Sequence, residues 1–229
     1  SYSSNPDTVI AVARMYIDAM HEQGIKVDGK HYFGTGYTTT DPHKGLPTLE
    51  GMTLQERTNA MRPFTALADS LDGIIVTHVI NPDTGKPDSL SPDAYRTLRE
   101  QLGFKGIIVT DDLYMGAIED LYEGKESWVV TSAVDALKAG ADAVILKYPQ
   151  GVEGLTAALI QEMKSDPQFE EQILRSFARL MHFKGVTLTG VEDVDDAIQG
   201  KTYEGAPWVL RRVKRGETFL DIVAAEGTV

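Results

Sequence analysis

Three apolar stretches of related sequence decide the fold of this chain. They are Gly73-Ile74-Ile75-Val76-Thr77-His78, Gly106-Ile107-Ile108-Val109-Thr110-Asp111 and, more weakly, Gly140-Ala141-Asp142-Ala143-Val144-Ile145-Leu146-Lys147. The first two begin 33 residues apart, and the third follows after a similar interval. Short β-branched runs of this kind are typical of strands buried on both faces of a parallel sheet. Because each interval has room for one helix, the sequence predicts consecutive βα units.

Helix signals fill the intervals between these strands. Ser91-Pro92-Asp93 has the N-cap serine and first-turn proline of a helix start, and Thr53-Leu54-Gln55-Glu56 has the pattern of a capping box. A third helix is indicated by apolar residues at helical spacing: Trp128, Val129, Ala133, Val134 and Leu137. Two more helices are expected at about 151–164 and 167–183.

With residues 25–33 as the earliest strand, the predicted order is βαβαβαβ followed by two helices. Four such βα units make half of a (β/α)8 TIM barrel. A doubly wound open sheet is the structural alternative. No glycine-rich phosphate turn follows any of the strands to favour it.

Composition excludes several classes of function. The 229 residues carry a net charge of -12 with scattered basic residues, whereas a nucleic-acid groove needs clustered Lys and Arg. The absence of cysteine excludes disulfides and thiolate metal sites. No apolar run approaches the roughly 20 residues that span a bilayer. No group of His, Asp and Glu has convincing metal-ligand spacing.

Polar side chains lie where the predicted strands end, which is where α/β proteins keep their catalytic residues. Lys30-His31 closes the earliest strand, and Asp41 and His43 lie in the loop beyond it. Asp111-Asp112 and His78 close two later strands and are expected to face the same rim. A carboxylate two residues from a histidine can fix the ring tautomer for proton transfer.

Each of these residues also has a structural interpretation. Asp111 or Asp112 would serve equally well as the N-cap of the next helix. Asp-Pro is a common turn start, so Asp41 and His43 also fit a simple turn. A histidine at a strand end is often a packing residue. The residues taken singly leave both interpretations open.

Taken in order, the same residues resemble glycoside hydrolase family 3 in its β-N-acetylhexosaminidase branch. That branch has Lys-His-Phe-Pro-Gly-His-Gly and then Asp-Ser-His-x-Gly-Leu-Pro, where this chain has Lys30-His31-Tyr32-Phe33-Gly34-Thr35-Gly36 and Asp41-Pro42-His43-Lys44-Gly45-Leu46-Pro47. Its Leu-Ser-Pro, Leu-Gly-Phe-x-Gly and Ser/Thr-Asp-Asp-Leu-x-Met segments match 90–92, 102–106 and 110–115. The chain departs from the family at Phe33, Thr35 and Pro42.

The resemblance implies a retaining glycosidase that removes terminal β-linked N-acetylglucosamine. Its substrate would be an oligosaccharide or muropeptide derived from peptidoglycan or chitin. By resemblance, Asp111 is the nucleophile that forms a covalent glycosyl-enzyme, His43 the acid/base and Asp41 the residue that orients His43. Lys30 and His31 correspond to residues that bind sugar hydroxyls. The resemblance implies no cofactor and no metal ion.

The resemblance covers residues 1–185 and corresponds to the second half of the barrel, so the first half is expected to be missing from the chain. Residues 186–208 are acidic and poor in apolar side chains, which predicts a linker. Residues 209–229 are similar to the opening of a LysM module, a type that binds N-acetylglucosamine-containing glycans. This tail favours export to the cell envelope over a bacterial cytoplasmic location.

Two other functions stay open at this point. One is a non-catalytic glycan-binding protein in which the barrel is a scaffold for the LysM-like segment. The other is an inactive truncated fragment that self-associates, since a half barrel leaves sheet edges open.

Overall fold

The computed structural model of the chain describes residues 2–125 and 127–185. The chain divides into two compact units, Ser1–Gly151 and Val152–Val229, which are described separately. The predicted linker over 186–208 and the LysM-like segment over 209–229 lie outside the described residues.

A parallel sheet forms the centre of the first unit. The strands in chain order are β1 (Asp28–Tyr32), β2 (Gly73–Val76), a short antiparallel pair of β3 (Ile80–Asn81) and β4 (Lys86–Pro87), then β5 (Ile107–Asp112) and β6 (Ala143–Ile145). The parallel sheet has the order β1-β2-β5-β6. Each parallel strand therefore pairs with the next one along the chain, as in a barrel, whereas a doubly wound sheet reverses its order. The predicted α/β class and barrel-type strand order are confirmed.

Seven helices accompany the strands in the described residues. They are α1 (Pro6–His21), α2 (Leu54–Leu67), α3 (Pro92–Arg96), α4 (Gly116–Leu121), α5 (Trp128–Ala139), α6 (Val152–Ser165) and α7 (Pro167–Phe183). One π-helical turn at Thr97–Gln101 continues α3, and 3-10 turns lie at Thr35–Tyr37, Asp88–Leu90 and Pro149–Gly151. Helices α6 and α7, which pack together in the second unit, have nearly the predicted bounds.

The two predicted helix starts are found in the structure, and they differ in how the first turn is bonded. Thr53 and Glu56 form the expected capping box at the start of α2. Ser91 precedes α3, but its hydroxyl makes no capping hydrogen bond and has no partner among the described residues. Ser91 nevertheless occupies the predicted N-cap position and Pro92 the first turn, so the predicted start of α3 is confirmed.

The strand register differs by one residue from the sequence repeat. Gly73 pairs with Ile107 and Val76 with Thr110, an offset of 34 rather than 33. The backbone explains the shift, since the carbonyl of Asp72 accepts the Ile107 N–H at 3.0 Å. As a result, His78 is level with Asp112 rather than with Asp111.

Within residues 2–125 and 127–185, no helix is both long enough and apolar enough to cross a membrane.

Candidate active site

Two consecutive aspartates at the end of β5 have different surroundings. Asp112 Oδ1 accepts the backbone N–H of Tyr114 at 3.1 Å and that of Lys147 at 3.0 Å. This one oxygen therefore ties the turn after β5 to the chain after β6. Asp111 uses Oδ1 to accept the Asp112 N–H at 2.9 Å, while its Oδ2 accepts no backbone N–H in the described part of the chain. Asp112 is held as a structural bridge, and Asp111 presents an oxygen to the rim.

The structure settles the helix-cap alternative for these aspartates. Helix α4 begins at Gly116, and its N-cap position is Met115 rather than Asp111 or Asp112. The Asp112 carbonyl accepts the Met115 N–H at 3.1 Å within the turn that leads into α4. The interpretation of either aspartate as an N-cap is therefore wrong.

His31, at the end of β1, reaches across β2 to Asp111. Its Nε2 lies 3.3 Å from Asp111 Oδ2, with both side chains partly exposed. Burial lowers the pKa of His31, and the positive charges of Lys30 and His43 lower it further, while the Asp111 carboxylate acts in the opposite direction. The net lowering favours a neutral imidazole, which can donate or accept one hydrogen bond at the mouth of the sheet.

The loop after β1 holds the predicted carboxylate–histidine pair. Asp41 Oδ1 accepts both the backbone N–H of His43 and, at 3.0 Å, a hydrogen bond from its Nδ1. These hydrogen bonds lower the pKa of Asp41, which keeps it anionic. The His43 side chain is 75% exposed, and its Nε2 is left for an external partner. This geometry orients an imidazole for proton exchange through Nε2.

Close packing against α4 fixes the position of this loop. The Pro42 carbonyl accepts the Ala117 N–H at 3.0 Å. A Cβ on Gly116 would lie 2.9 Å from the His43 carbonyl oxygen, so only glycine permits this approach. The loop is thus attached to the helix that directly follows Asp111 and Asp112. The attachment holds Asp41 and His43 beside the start of α4, and the charge of His43 contributes to the lowered pKa of His31.

Lys30 and Gly34 complete the end of β1. The Lys30 side chain is exposed and has no ion-pair partner within residues 2–125 and 127–185. Gly34 has φ +90°, and a Cβ there would lie 2.7 Å from the Leu49 side chain, so the turn after β1 requires glycine. At the departure from the family motif, the Thr35 hydroxyl bonds the Thr77 hydroxyl at 3.0 Å.

His78 is a buried structural residue, not a rim residue as predicted. Its side chain is fully buried, its Nε2 donates to the Asp112 carbonyl at 3.0 Å, and its Nδ1 accepts from the Ser89 hydroxyl at 2.7 Å. Burial lowers its pKa and favours this neutral tautomer. In the shifted register the His78 ring bonds the backbone of Asp112 and is buried, so it presents no side chain at the rim.

Sequence reasoning missed two features of this rim. Asp88 is a buried carboxyl beneath the end of β1, and burial raises its pKa to about 7. Nothing in the local sequence signals it. Tyr114 and Tyr148 follow β5 and β6, and their rings lie 5.0 Å apart. The strand-end rule that found Asp111 would have found both tyrosines had it been applied to aromatic residues. Among the described residues, no group of three or more metal-ligating side chains could hold an ion.

Comparison with known proteins gives a consistent result. The model of the glycosyl hydrolase family 3 N terminal domain matches residues 1–183. A beta-hexosaminidase of Idiomarina loihiensis is 32% identical over 148 residues, which cover 64% of this chain and 43% of that protein. A beta-hexosaminidase of Pseudomonas aeruginosa is 29% identical over 179 residues, covering 76% of this chain and 52% of the relative. The chain thus spans about half the length of these curated relatives.

A solved structure shows the same architecture. The glycoside hydrolase family 3 beta-N-acetylglucosaminidase from a Paenibacillus species has a TM-score of 0.71 to this chain at 27% identity. The alignment covers 99% of this chain and 41% of the Paenibacillus protein.

Proposed function

Since the chain belongs to glycosyl hydrolase family 3, we propose that it provides catalytic residues for a retaining hydrolase that removes terminal β-linked N-acetylglucosamine. The relatives named beta-hexosaminidase support this activity. The observation that carries it is the difference between the two aspartates. Asp112 Oδ1 is occupied by two backbone N–H groups, while Asp111 Oδ2 faces His31 at the rim.

The proposed reaction has two displacements. In the first, Asp111 Oδ2 attacks the anomeric carbon, the bond to the leaving oxygen breaks, and His43 Nε2 gives that oxygen its proton. In the second, His43 Nε2 takes a proton from water. The water oxygen attacks the same carbon and releases Asp111. The configuration is retained because the carbon is inverted twice.

The remaining residues prepare these steps. Asp41 holds the Nδ1 side of His43, so that Nε2 is the atom that exchanges the proton, and its negative charge stabilises the imidazolium. Lys30 and His31 bind sugar hydroxyls. A neutral His31 does so without cancelling the negative charge that Asp111 needs as a nucleophile.

The natural substrates in this proposal are oligosaccharides or muropeptides derived from peptidoglycan or chitin. The LysM-like residues 209–229 would bind the same class of glycan and would fit a role at the cell wall or in peptidoglycan recycling.

The test is to replace Asp111 with alanine in the protein that carries this chain. Release of N-acetylglucosamine from an aryl glycoside should be lost, because no other described group takes the nucleophile's place. Asp69→Ala, which removes an exposed carboxylate outside the site, should retain full activity. A mechanism-based fluorosugar should label Asp111. Labelling of Asp112, or activity in the Asp111 variant, would show the assignment to be wrong.

A further inference from the structure

Three aromatic side chains form a cluster that includes Tyr114, three residues after the proposed nucleophile. The Tyr114 ring centroid lies 5.0 Å from that of Tyr148 and 5.8 Å from that of Trp128, with interplanar angles of 84° and 72°. These edge-to-face contacts are a favourable geometry for aromatic pairs, and they fix the three rings relative to one another. We call Tyr114, Trp128 and Tyr148 the aromatic platform.

Asp112 anchors this platform next to Asp111. Its Oδ1 accepts the N–H of Tyr114 and that of Lys147, the residue before Tyr148. The two tyrosines are thereby held at the ends of neighbouring strands β5 and β6. Gly151 leaves room for the cluster, because a Cβ there would lie 2.9 Å from Val129 and 3.5 Å from the Tyr114 hydroxyl.

One ring of the platform, that of Tyr148, is open to solvent, while Tyr114 and Trp128 are half-buried behind it. Tyr148 is 46% exposed, whereas Tyr32, Phe33, Tyr95 and Phe104 are all buried. Lys147 Nζ lies 5.4 Å from the Tyr148 ring centroid, which adds a hydrogen-bond donor beside the ring. A rigid, exposed ring with a polar neighbour suits a ligand that has one apolar face and a polar edge, and a pyranose ring has both.

We propose that the aromatic platform is a sugar-binding subsite for the unit on the leaving-group side of the scissile bond. This inference rests on the proposed function. The side is chosen by the loop that carries His43, which would protonate the leaving oxygen. That loop is bonded to the start of α4 through Pro42 and Ala117, just after Tyr114. The loop with His43 and the platform residue Tyr114 thus both adjoin the connection between β5 and α4, which is why we place the leaving group on the side of the platform. The ligand is a glycan of at least two N-acetylhexosamine units.

The first experiment compares two substrates in the protein that carries this chain. Tyr148→Ala should lower kcat/KM for N,N′-diacetylchitobiose about tenfold, the loss of one stacking contact. It should leave kcat/KM for N-acetyl-β-glucosaminyl azide unchanged, because that leaving group has no ring to stack. Tyr148→Phe keeps the ring and should retain most of the activity on the disaccharide. Tyr16→Ala removes an equally exposed tyrosine (48%) from α1 and should affect neither substrate.

A binding measurement separates this proposal from the catalytic one. In an Asp111→Asn background, calorimetric titration should show that Tyr148→Ala weakens binding of the disaccharide and leaves binding of N-acetylglucosamine itself unchanged. Such a result with no turnover in the parent protein would refute the proposed chemistry and keep the subsite. Equal losses on both ligands, no loss on either, or no sugar binding by the parent would overturn the subsite.

Discussion

Replacing Asp88 with asparagine should make the stability of the first unit less dependent on pH. The Asp88 side chain is 1% exposed, at the start of the turn after β4. Asn81 Nδ2 donates to its Oδ1 at 3.4 Å, while Oδ2 has no partner among the described residues. Burial raises the pKa of Asp88 to about 7, although the side chain of Asn81, the backbone of Phe33 and the charge of Arg57 act in the opposite direction.

The sign of the effect follows from linkage between protonation and folding. A carboxyl whose folded pKa is raised stabilises the fold at low pH, and this contribution is lost as pH rises through the folded pKa. With an unfolded pKa of about 3.9 and a folded pKa of about 7, ionisation of Asp88 lowers the free energy of unfolding by about 2.5 kcal/mol between pH 5 and pH 8. Asparagine has a similar shape and no charge, so the variant should lack this loss.

The assay is urea unfolding of the protein that carries this chain, followed by circular dichroism at pH 5, 6.5 and 8. Relative to the wild type, Asp88→Asn should gain about 2.5 kcal/mol in unfolding free energy over this range. If the asparagine amide itself destabilises the fold, it does so equally at every pH and does not alter that difference. His78 changes stability with pH in the opposite direction, but it does so in both proteins, so its contribution cancels. The exposed Asp69→Asn should follow the wild-type profile. Parallel profiles for Asp88→Asn and wild type would refute the reasoning.

Two further predictions concern His43 as the proton donor and the open edges of the parallel sheet. His43→Ala should slow hydrolysis of a disaccharide about a hundredfold or more and that of an activated aryl glycoside much less, because a good leaving group needs little protonation. Equal losses of rate on the two substrates would mean that His43 is not the acid. The isolated 229-residue chain should self-associate and hydrolyse no aryl glycoside, because among the described residues β1 and β6 each pair on one side only. A monodisperse monomer by light scattering would contradict the predicted self-association. Hydrolysis of the aryl glycoside by the isolated chain would contradict the predicted loss of activity.

The strands and most helices of this fold follow from local sequence. Runs such as 73–76 and 107–110 are β-branched and apolar, and the structure buries them in the sheet as predicted. The capping box at Thr53 and Glu56 is a local pattern and is also confirmed. The hairpin of β3 and β4 was not predicted, since two residues per strand are too few to give a periodic signal.

Register and side-chain partners do not follow from local sequence. The sequence repeat aligns Gly73 with Gly106. In the sheet, the Asp72 carbonyl accepts the N–H of Ile107, and Gly73 pairs with Ile107 instead. That bond joins segments 35 residues apart, so neither segment alone reveals it. The same limit applies to Asp88, whose buried surroundings include Phe33 from the segment after β1, far away in sequence. The position of His43 beside α4 depends likewise on the Gly116 approach.

The two aspartates at the end of β5 are adjacent and identical, but their positions in the sheet give them different roles. Successive side chains of a strand point to opposite faces, so Asp111 and Asp112 cannot share surroundings. One faces His31 from β1, and the other accepts the Lys147 N–H beyond β6. The bridge made by Asp112 also fixes the turn that follows Asp111 and places Tyr114 and Tyr148 beside it. A carboxylate that takes no part in the proposed chemistry thus positions both the nucleophile and the proposed sugar subsite.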